Sequence, residues 1–420
     1  MLNVKLFKIM MLSFTILISS GFTYTHKDKE NCKTSALFNP QNNEESIFTC
    51  KEKSSYRYFL NSVTCDNEIC TSVGDSQNFG LPLILNSTNS GEIWDAASNI
   101  EWPAHQTYFE SVDCDGSFCI LAGGYYTGMM MKPVIFKSLD RTNWSMADII
   151  GLPADKKAHL LSVNCRDKLC TAVGYQLDAP LVLNSADQGK TWSQASFVEL
   201  PLDLAASPQL TSVTCRKDIC SAVGAYNNAN KRVPLILNST DNGNTWKLPS
   251  SIELSSDTDK YAYLNAVSCS ESVCIAVGKY DKGPIRTSLI LKSKDNGNTW
   301  HSVKSMIESM AVIEASLNSV TCNDTKCTSV GYIWFDNSSP QNQVLILNSE
   351  DQGETWNEAS FIELPPPAAN GPVPIANSIT CNGDNCTIVG QTNLGNDYYP
   401  LILNSTDRNI WSLASEIELP

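Results

Sequence analysis

A chain of 420 residues with 42% hydrophobic residues and a formal charge of −14 has the balance of a globular protein, not of a disordered chain. Its Lys and Arg residues are scattered, which argues against nucleic acid as a partner and against binding to anionic membrane surfaces. Sixteen cysteines, fourteen of them in one recurring spacing, point to disulfides in an oxidising compartment.

At the N-terminus Lys5 and Lys8 precede an apolar core from Ile9 to Ile18, followed by Ser19, Ser20 and Gly21. Residues 1–21 read as a secretory signal peptide, so the expected location is exported, either secreted or periplasmic. No later apolar run is long enough to span a bilayer, so no membrane insertion is expected once the signal is removed. Residues 22–57 are polar and lie outside the repeats described next. Cys32 and Cys50 are expected to bridge there and hold the segment against the first repeat.

From about residue 58 onward the chain repeats. The motif Asn61-Ser-Val-Thr-Cys65-Asp-Asn-Glu-Ile-Cys70-Thr-Ser-Val-Gly74 recurs with first cysteines at 65, 114, 165, 215, 269, 322 and 381, at spacings of 49 to 59 residues. Each copy continues into an apolar run, then Asn-Ser or a close variant, an acidic turn and a tryptophan, at 94, 144, 192, 246, 300, 356 and 411. In one unit Leu210–Thr214 alternates as a first strand and Ser221–Gly224 is a second. Leu235–Leu237 is a third, and Thr245-Trp246 opens a fourth that runs toward Ser251–Leu254.

A four-stranded unit of about fifty residues buries both faces only by stacking on neighbours, the arrangement of a propeller. The expected fold is all-β, a seven-bladed β-propeller of four-stranded antiparallel blades over residues 58–420. The chain ends at Ile-Glu-Leu-Pro420, where internal repeats also finish. The last blade is therefore expected to be complete without a borrowed strand, with closure by packing alone unless residues 22–57 add an edge strand.

The four residues between paired cysteines are polar and turn-prone, as at a hairpin tip. The expected intra-blade disulfides are Cys65–Cys70, Cys114–Cys119, Cys165–Cys170, Cys215–Cys220, Cys269–Cys274, Cys322–Cys327 and Cys381–Cys386. A zinc site needs four converging ligands, and pairs spread around a ring do not supply them, so no metal is expected. No cofactor motif is present either.

The turn before each tryptophan resembles the Asp-box, or bacterial neuraminidase repeat, Ser-x-Asp-x-Gly-x-Thr-Trp. Full copies run from Ser185 to Trp192, Ser239 to Trp246, Ser293 to Trp300 and Ser349 to Trp356. The first repeat has Asn89 in place of the aspartate, and the copies ending at Trp144 and Trp411 lack the glycine and are one residue shorter. The resemblance is to propellers of the sialidase and sortilin-like superfamily, and it covers residues 58–420. It implies a structural turn between third and fourth strands, remote from any active site.

Sialidases of that superfamily carry three arginines, the first in an Arg-Ile-Pro motif, with a Tyr–Glu nucleophile pair. Here Arg232-Val-Pro234 lies in the fourth repeat and arginines are sparse, so Arg232 is read as a loop residue. Glu199, Glu253, Glu363 and Glu418 recur at one repeat position, which suggests a structural or solvated role. His26, His105, His159 and His301 are dispersed and form no ligand pair.

Function is therefore sought where the repeats differ, in the connections between second and third strands and between repeats. These carry Tyr125, Tyr126, Tyr175, Tyr226, Tyr280, Tyr332, Trp334, Tyr398 and Tyr399 as candidate ligand-binding residues. Of these, Tyr175, Tyr226, Tyr280 and Tyr332 closely follow the glycine of the second strand, which favours a structural role. Met129–Met131 and Ile333–Phe335 add apolar residues to two of the same loops. The expected protein is a monomeric binding module for a glycan or an extracellular protein. A glycoside hydrolase and an assembly scaffold, as in the photosystem-associated propellers, are the alternatives.

Overall fold

A computed structural model describes residues 23–26, 33–35 and 58–420, excepting 77–80, 98–99, 101, 104–105, 154–155, 178, 230, 256–260, 305–311, 336–342, 365–373 and 395–396. Cys32, Cys50 and His105 lie outside the described residues. The described secondary structure is β throughout. Each repeat is an antiparallel meander whose second strand pairs with the first and the third, as in Ala206–Arg216, Ile219–Asn228 and Lys231–Ser239.

The seven expected hairpin disulfides are all formed, each between residues paired directly across the first and second strands. The expectation of seven equal four-stranded blades is overturned by the hydrogen bonding. The sheets have seven, four, five, two, three, nine and five strands. Five of them reach four strands or more, giving a propeller of five blades. Two irregularities cause this. Strand Thr245–Trp246 meets its own repeat only through the bridge Asn238↔Lys247, leaving a three-stranded sheet. A parallel bridge between Arg286 and Glu314 joins the strands of two repeats into the nine-stranded sheet.

The Ile-Glu-Leu tails do not extend the fourth strand of their own repeat. Strand Ser251–Glu253 pairs in parallel with Thr299–Ser302 of the following repeat, and Phe197–Val198 and Phe361–Ile362 likewise pair forward. By the same rule the last strand, Glu416–Leu419, pairs with Ile93–Ala96 of the first repeat. Closure thus uses a borrowed strand, contrary to the expectation from the C-terminal sequence. Thr23–His26 adds a further strand beside it, pairing with Glu416–Leu419.

Around the axis, the first strands are tied to one another by the serine of the repeated Ser-Val. The hydroxyls of Ser111, Ser162, Ser212 and Ser319 accept the backbone N–H groups of Val163, Val213, Val267 and Ile379. The residue before that position, which is Ala266 in the fifth repeat and serine in the other six, sits on a β-bulge in every repeat. Glycine is required opposite each bulge: a Cβ on Gly74 would lie 1.7 Å from the carbonyl oxygen of Phe59.

The repeated turn is built by its own side chains. In Ser239–Trp246 the serine hydroxyl accepts the Gly243 N–H at 2.9 Å, and the Asp241 carboxylate accepts the Thr245 N–H at 2.8 Å and its hydroxyl at 2.6 Å. Trp246 is fully buried and donates its Nε1–H to the Gly243 carbonyl. Gly243 adopts φ +79°, which explains the glycine. In the two shorter turns Arg141 and Arg408 take that place at φ +63°, and the guanidinium of each binds the carbonyl of a hairpin glycine, Gly116 or Gly383.

Candidate functional site

The ends of the second strands and the starts of the first strands lie together, opposite the disulfide hairpins. At this end the residue after the second-strand glycine pairs with the residue two before the bulge. The pairs are Phe59↔Asp75, Tyr108↔Gly124, His159↔Tyr175, Gln209↔Ala225, Tyr263↔Lys279, Ser316↔Tyr332 and Ile375↔Gln391. A fixed frame therefore presents a ring of differing side chains, and two clusters stand out.

The first cluster centres on Lys279. Its ammonium donates to Glu314 Oε1 at 2.6 Å and to Tyr332 Oη at 3.0 Å, and lies 5.5 and 5.6 Å from the ring centres of Tyr263 and Tyr332. Tyr332 also donates to Glu314 at 2.7 Å, and Arg286 stands 3.7 Å from the other Glu314 oxygen. Burial works to lower the Lys279 pKa, but the hydrogen bonds to Glu314 and Tyr332 outweigh it and hold it raised. The Glu314 carboxyl is held below its ordinary value: its burial is outweighed by the hydrogen bonds from Lys279 and Tyr332. Trp334 packs on Tyr332 at 5.1 Å, and its Nε1 has no hydrogen-bond partner among the described residues. The charged groups of this cluster are mutually satisfied.

The second cluster spans the first three repeats and is not satisfied in this way. Glu110 occupies the bulge position, where the donors Asn61, Thr211, Asn265, Asn318 and Asn377 each bind a carbonyl of the next first strand. An ionised carboxylate cannot make that bond. Glu110 Oε1 faces the His159 ring, with Nε2 3.5 Å away. That buried Nε2 has no hydrogen-bond partner among the described residues.

Asp75 lies beside this group, buried, with a 3.3 Å hydrogen bond from Asn61. Burial pushes the Asp75 carboxyl up to about 6. Burial, reinforced by the charge of Asp75, pushes Glu110 up to about 7, while burial lowers His159 to about 4. Tyr108 stands edge-on to Tyr126 at 6.1 Å, and His159 edge-on to Tyr175 at 5.8 Å. Tyr108 is raised first by burial and then by Asp75, and Tyr175 first by burial and then by Tyr126 and Glu110.

The aromatic residues expected from sequence divide between these surroundings. Tyr126 and Tyr175 join the Glu110 cluster, whereas Tyr332 and Trp334 belong to the Lys279 cluster. Tyr226 and Tyr280 are buried in sheet cores, Tyr226 bonded to Asp203 at 2.9 Å. Tyr125 packs on the core around Phe109. Tyr398 stands 6.0 Å from Phe59, and Tyr399 is half-buried in the same strand, Asp397–Ser405.

Arg232 is not in a loop but in strand Lys231–Ser239, bonded to Asn227. Glu199 accepts the Leu248 N–H, a structural role. Asp75, Tyr108, Glu110 and His159 were not singled out as a group, although the departure of Glu110 from the Asn/Thr found at most bulges is visible in the sequence once the repeats are aligned.

No family model matches the chain, and no curated protein matches it. Solved structures do resemble it. Ycf48 bound to a D1 peptide is 12% identical with a TM-score of 0.53, over 85% of this chain and 96% of that one. A GH74 xyloglucanase from Xanthomonas campestris is 12% identical with a TM-score of 0.56, over 86% of this chain and 56% of that one. A PL25 ulvan lyase bound to a -[GlcA(1-4)Rha3S]- saccharide is 11% identical with a TM-score of 0.50, over 85% and 96%. Likeness at such identities shows the fold alone, a β-propeller of the kind these proteins share.

Proposed function

We propose that the chain is an exported glycan-binding module whose site is the cluster of Asp75, Tyr108, Glu110, Tyr126, His159 and Tyr175. The observation that carries this reading is the contrast between the two clusters. Lys279, Glu314 and Tyr332 satisfy one another, whereas the buried His159 Nε2 has no hydrogen-bond partner among the described residues, and the Glu110 carboxyl facing it at 3.5 Å is partly exposed. Buried polar groups left without partners are costly, and native structures keep few of them without a functional reason. Tyrosine rings beside carboxyl groups also suit a pyranose, whose faces are apolar and whose hydroxyls donate and accept. The seven disulfides fit an oxidising compartment outside the cytosol. No described helix is long and apolar enough to cross a membrane.

A glycan array read with the wild type and with Tyr126→Ala and Glu110→Gln tests the reading. Loss of the captured glycans in both variants, with unchanged melting, supports it. Capture unaffected by either change overturns it.

One observation favours hydrolysis as a second reading. Glu110 at about 7, with the charge of Asp75 acting on it, and Asp75 at about 6 give two carboxyls that exchange protons near neutral pH, a property that acid–base catalysis needs. Incubation with sialosides and β-glucans decides it, since turnover abolished by Glu110→Gln is required.

A further inference from the structure

An asparagine followed by glycine is open to attack from within the chain, because a residue without a Cβ lets its backbone nitrogen approach the preceding side chain. Three such steps fall on described residues, Asn242-Gly243, Asn296-Gly297 and Asn382-Gly383, while Asn370-Gly371 lies outside them. In the first two the glycine is buried in the repeated turn and its N–H is committed. Gly243 donates to the Ser239 hydroxyl and Gly297 to the Ser293 hydroxyl, each at 2.9 Å. Freeing either nitrogen requires opening a turn that also holds a buried tryptophan.

Asn382-Gly383 sits at the tip of the Cys381–Cys386 hairpin, and both residues are exposed. The Gly383 N–H has no hydrogen-bond partner among the described residues, and nothing lies within 4 Å of where a Cβ would stand. The Asn382 amide makes an exposed 3.2 Å donation to Asn67 Oδ1, across the junction of the last and first repeats. The sixth repeat supplies a comparison. Asn323 holds the same hairpin position, but Asp324 follows it at φ +53°, where Gly383 has φ +60°. The Asn323 amide donates to the Cys381 carbonyl at 2.8 Å.

We propose that Asn382 is a modification site, converted without an enzyme to aspartate and isoaspartate. Base takes the Gly383 amide proton and the nitrogen attacks Asn382 Cγ, forming the Cγ–N bond. The Cγ–Nδ2 bond then breaks and ammonia leaves with a proton from solvent. Water opens the resulting cyclic imide: cleavage at Cγ gives aspartate, and cleavage at the Asn382 carbonyl carbon routes the main chain through Cγ as isoaspartate. Water is consumed, ammonia is released and no oxidant is needed. Either product puts a carboxylate where a donor faced Asn67 Oδ1, so that bond between repeats is lost. The new charge also stands two residues from Asp384, which holds Lys326 at 2.7 Å and Arg408 at 3.4 Å. Isoaspartate further lengthens the hairpin backbone between its bridged cysteines.

The test is peptide mapping by mass spectrometry of the folded chain held at pH 6 and at pH 8, with the reduced, denatured chain as control. The variant Gly383→Asp, which copies Asn323-Asp324, is mapped alongside. In the folded chain Asn382 is expected to convert at least about tenfold faster than Asn242, Asn296 and Asn323, and faster at pH 8. On denaturation the Asn-Gly steps should converge, and in Gly383→Asp conversion at Asn382 should fall to that of Asn323. Asn242 and Asn296 keeping pace with Asn382 in the folded chain would overturn selection by the turn bonds. An Asn382 unchanged while the denatured chain converts, or one converting as fast in Gly383→Asp, would overturn the site.

Discussion

Val63 donates its backbone N–H to the Ser378 hydroxyl at 3.3 Å across 315 residues of chain, and Asn377 reaches the Leu60 carbonyl beside it at 2.9 Å. The ring is therefore closed at its axis by the same Asn-Ser pair that ties neighbouring repeats elsewhere, and at its rim by the strand Glu416–Leu419.

Closure at the rim is expected to matter more than closure at the axis. Ile417 is fully buried between the first and last repeats, with Trp94 and Ile402. Ile417→Ala should cost about 2–5 kcal/mol, whereas Ser378→Ala, which removes one hydrogen bond, should cost about 1 kcal/mol. Urea unfolding of the two variants checks the ranking, and equal losses would contradict it.

The Lys279 cluster is expected to behave as a buried ion pair. Lys279→Met leaves the Glu314 carboxylate, whose side chain is 13% exposed, without its main partner. Removing one member of such a pair costs about 3 kcal/mol. The double variant Lys279→Met/Glu314→Gln should recover part of that loss, because the orphaned charge is gone. Thermal melts of both variants measure the recovery.

The Asn of the recurring Asn-Ser forms sequons at Asn86, Asn238 and Asn404, yet its amide is committed. Asn404 is buried and its Nδ2 donates to the Gly91 carbonyl at 2.7 Å, as Asn86 does to Arg141 at 3.0 Å. Modification of that nitrogen would break the bond and force a sugar between two turns. In a glycosylating host these positions should stay unmodified in folded protein, which peptide mass spectrometry can verify. Occupied Asn404 in the folded fraction would contradict the assignment.

What the sequence made legible was whatever repeats. The Cys-x4-Cys pairs, the turn residues and the tryptophans each act within one hairpin or one turn, so local spacing exposes them. The partition of strands into sheets was not legible, because it depends on whether single bridges such as Arg286↔Glu314 form between repeats. The fate of the Ile-Glu-Leu tails was also hidden, since a strand pairing forward and one extending its own sheet have the same alternation. The Glu110 cluster escaped for a related reason. Its members come from three repeats, and His159, dispersed in sequence, meets Glu110 only across the axis strands.

The last expectation concerns pH. Glu110 and Asp75 have folded-state values near 7 and 6, above their ordinary values of 4.5 and 3.8, and burial also raises the half-buried Asp113 to about 6. A carboxyl raised by folding binds its proton more tightly in the native state. The stability it lends is fully present below the unfolded value near 4 and is lost as pH rises through 6 and 7. The turn aspartates act in the opposite sense but elsewhere: Asp187 and Asp351 are lowered to about 2, so what they lend is lost only below about pH 4. Between pH 5 and pH 8 the raised carboxyls therefore set a downward slope. His159, lowered to about 4 by burial, works the other way between pH 5 and its ordinary value of 6.5 and offsets part of this slope, but three raised carboxyls outweigh one imidazole, and the chain should be less stable at pH 8. Because the Glu110 side chain is 32% exposed, solvent screening reduces its share to about 1–2 kcal/mol. Glu110→Gln, which keeps the shape and cannot ionise, should flatten the dependence without removing it, since Asp75 and Asp113 remain. Denaturation midpoints at pH 5 and pH 8 for wild type and variant test this, and parallel slopes would exclude Glu110 as a source.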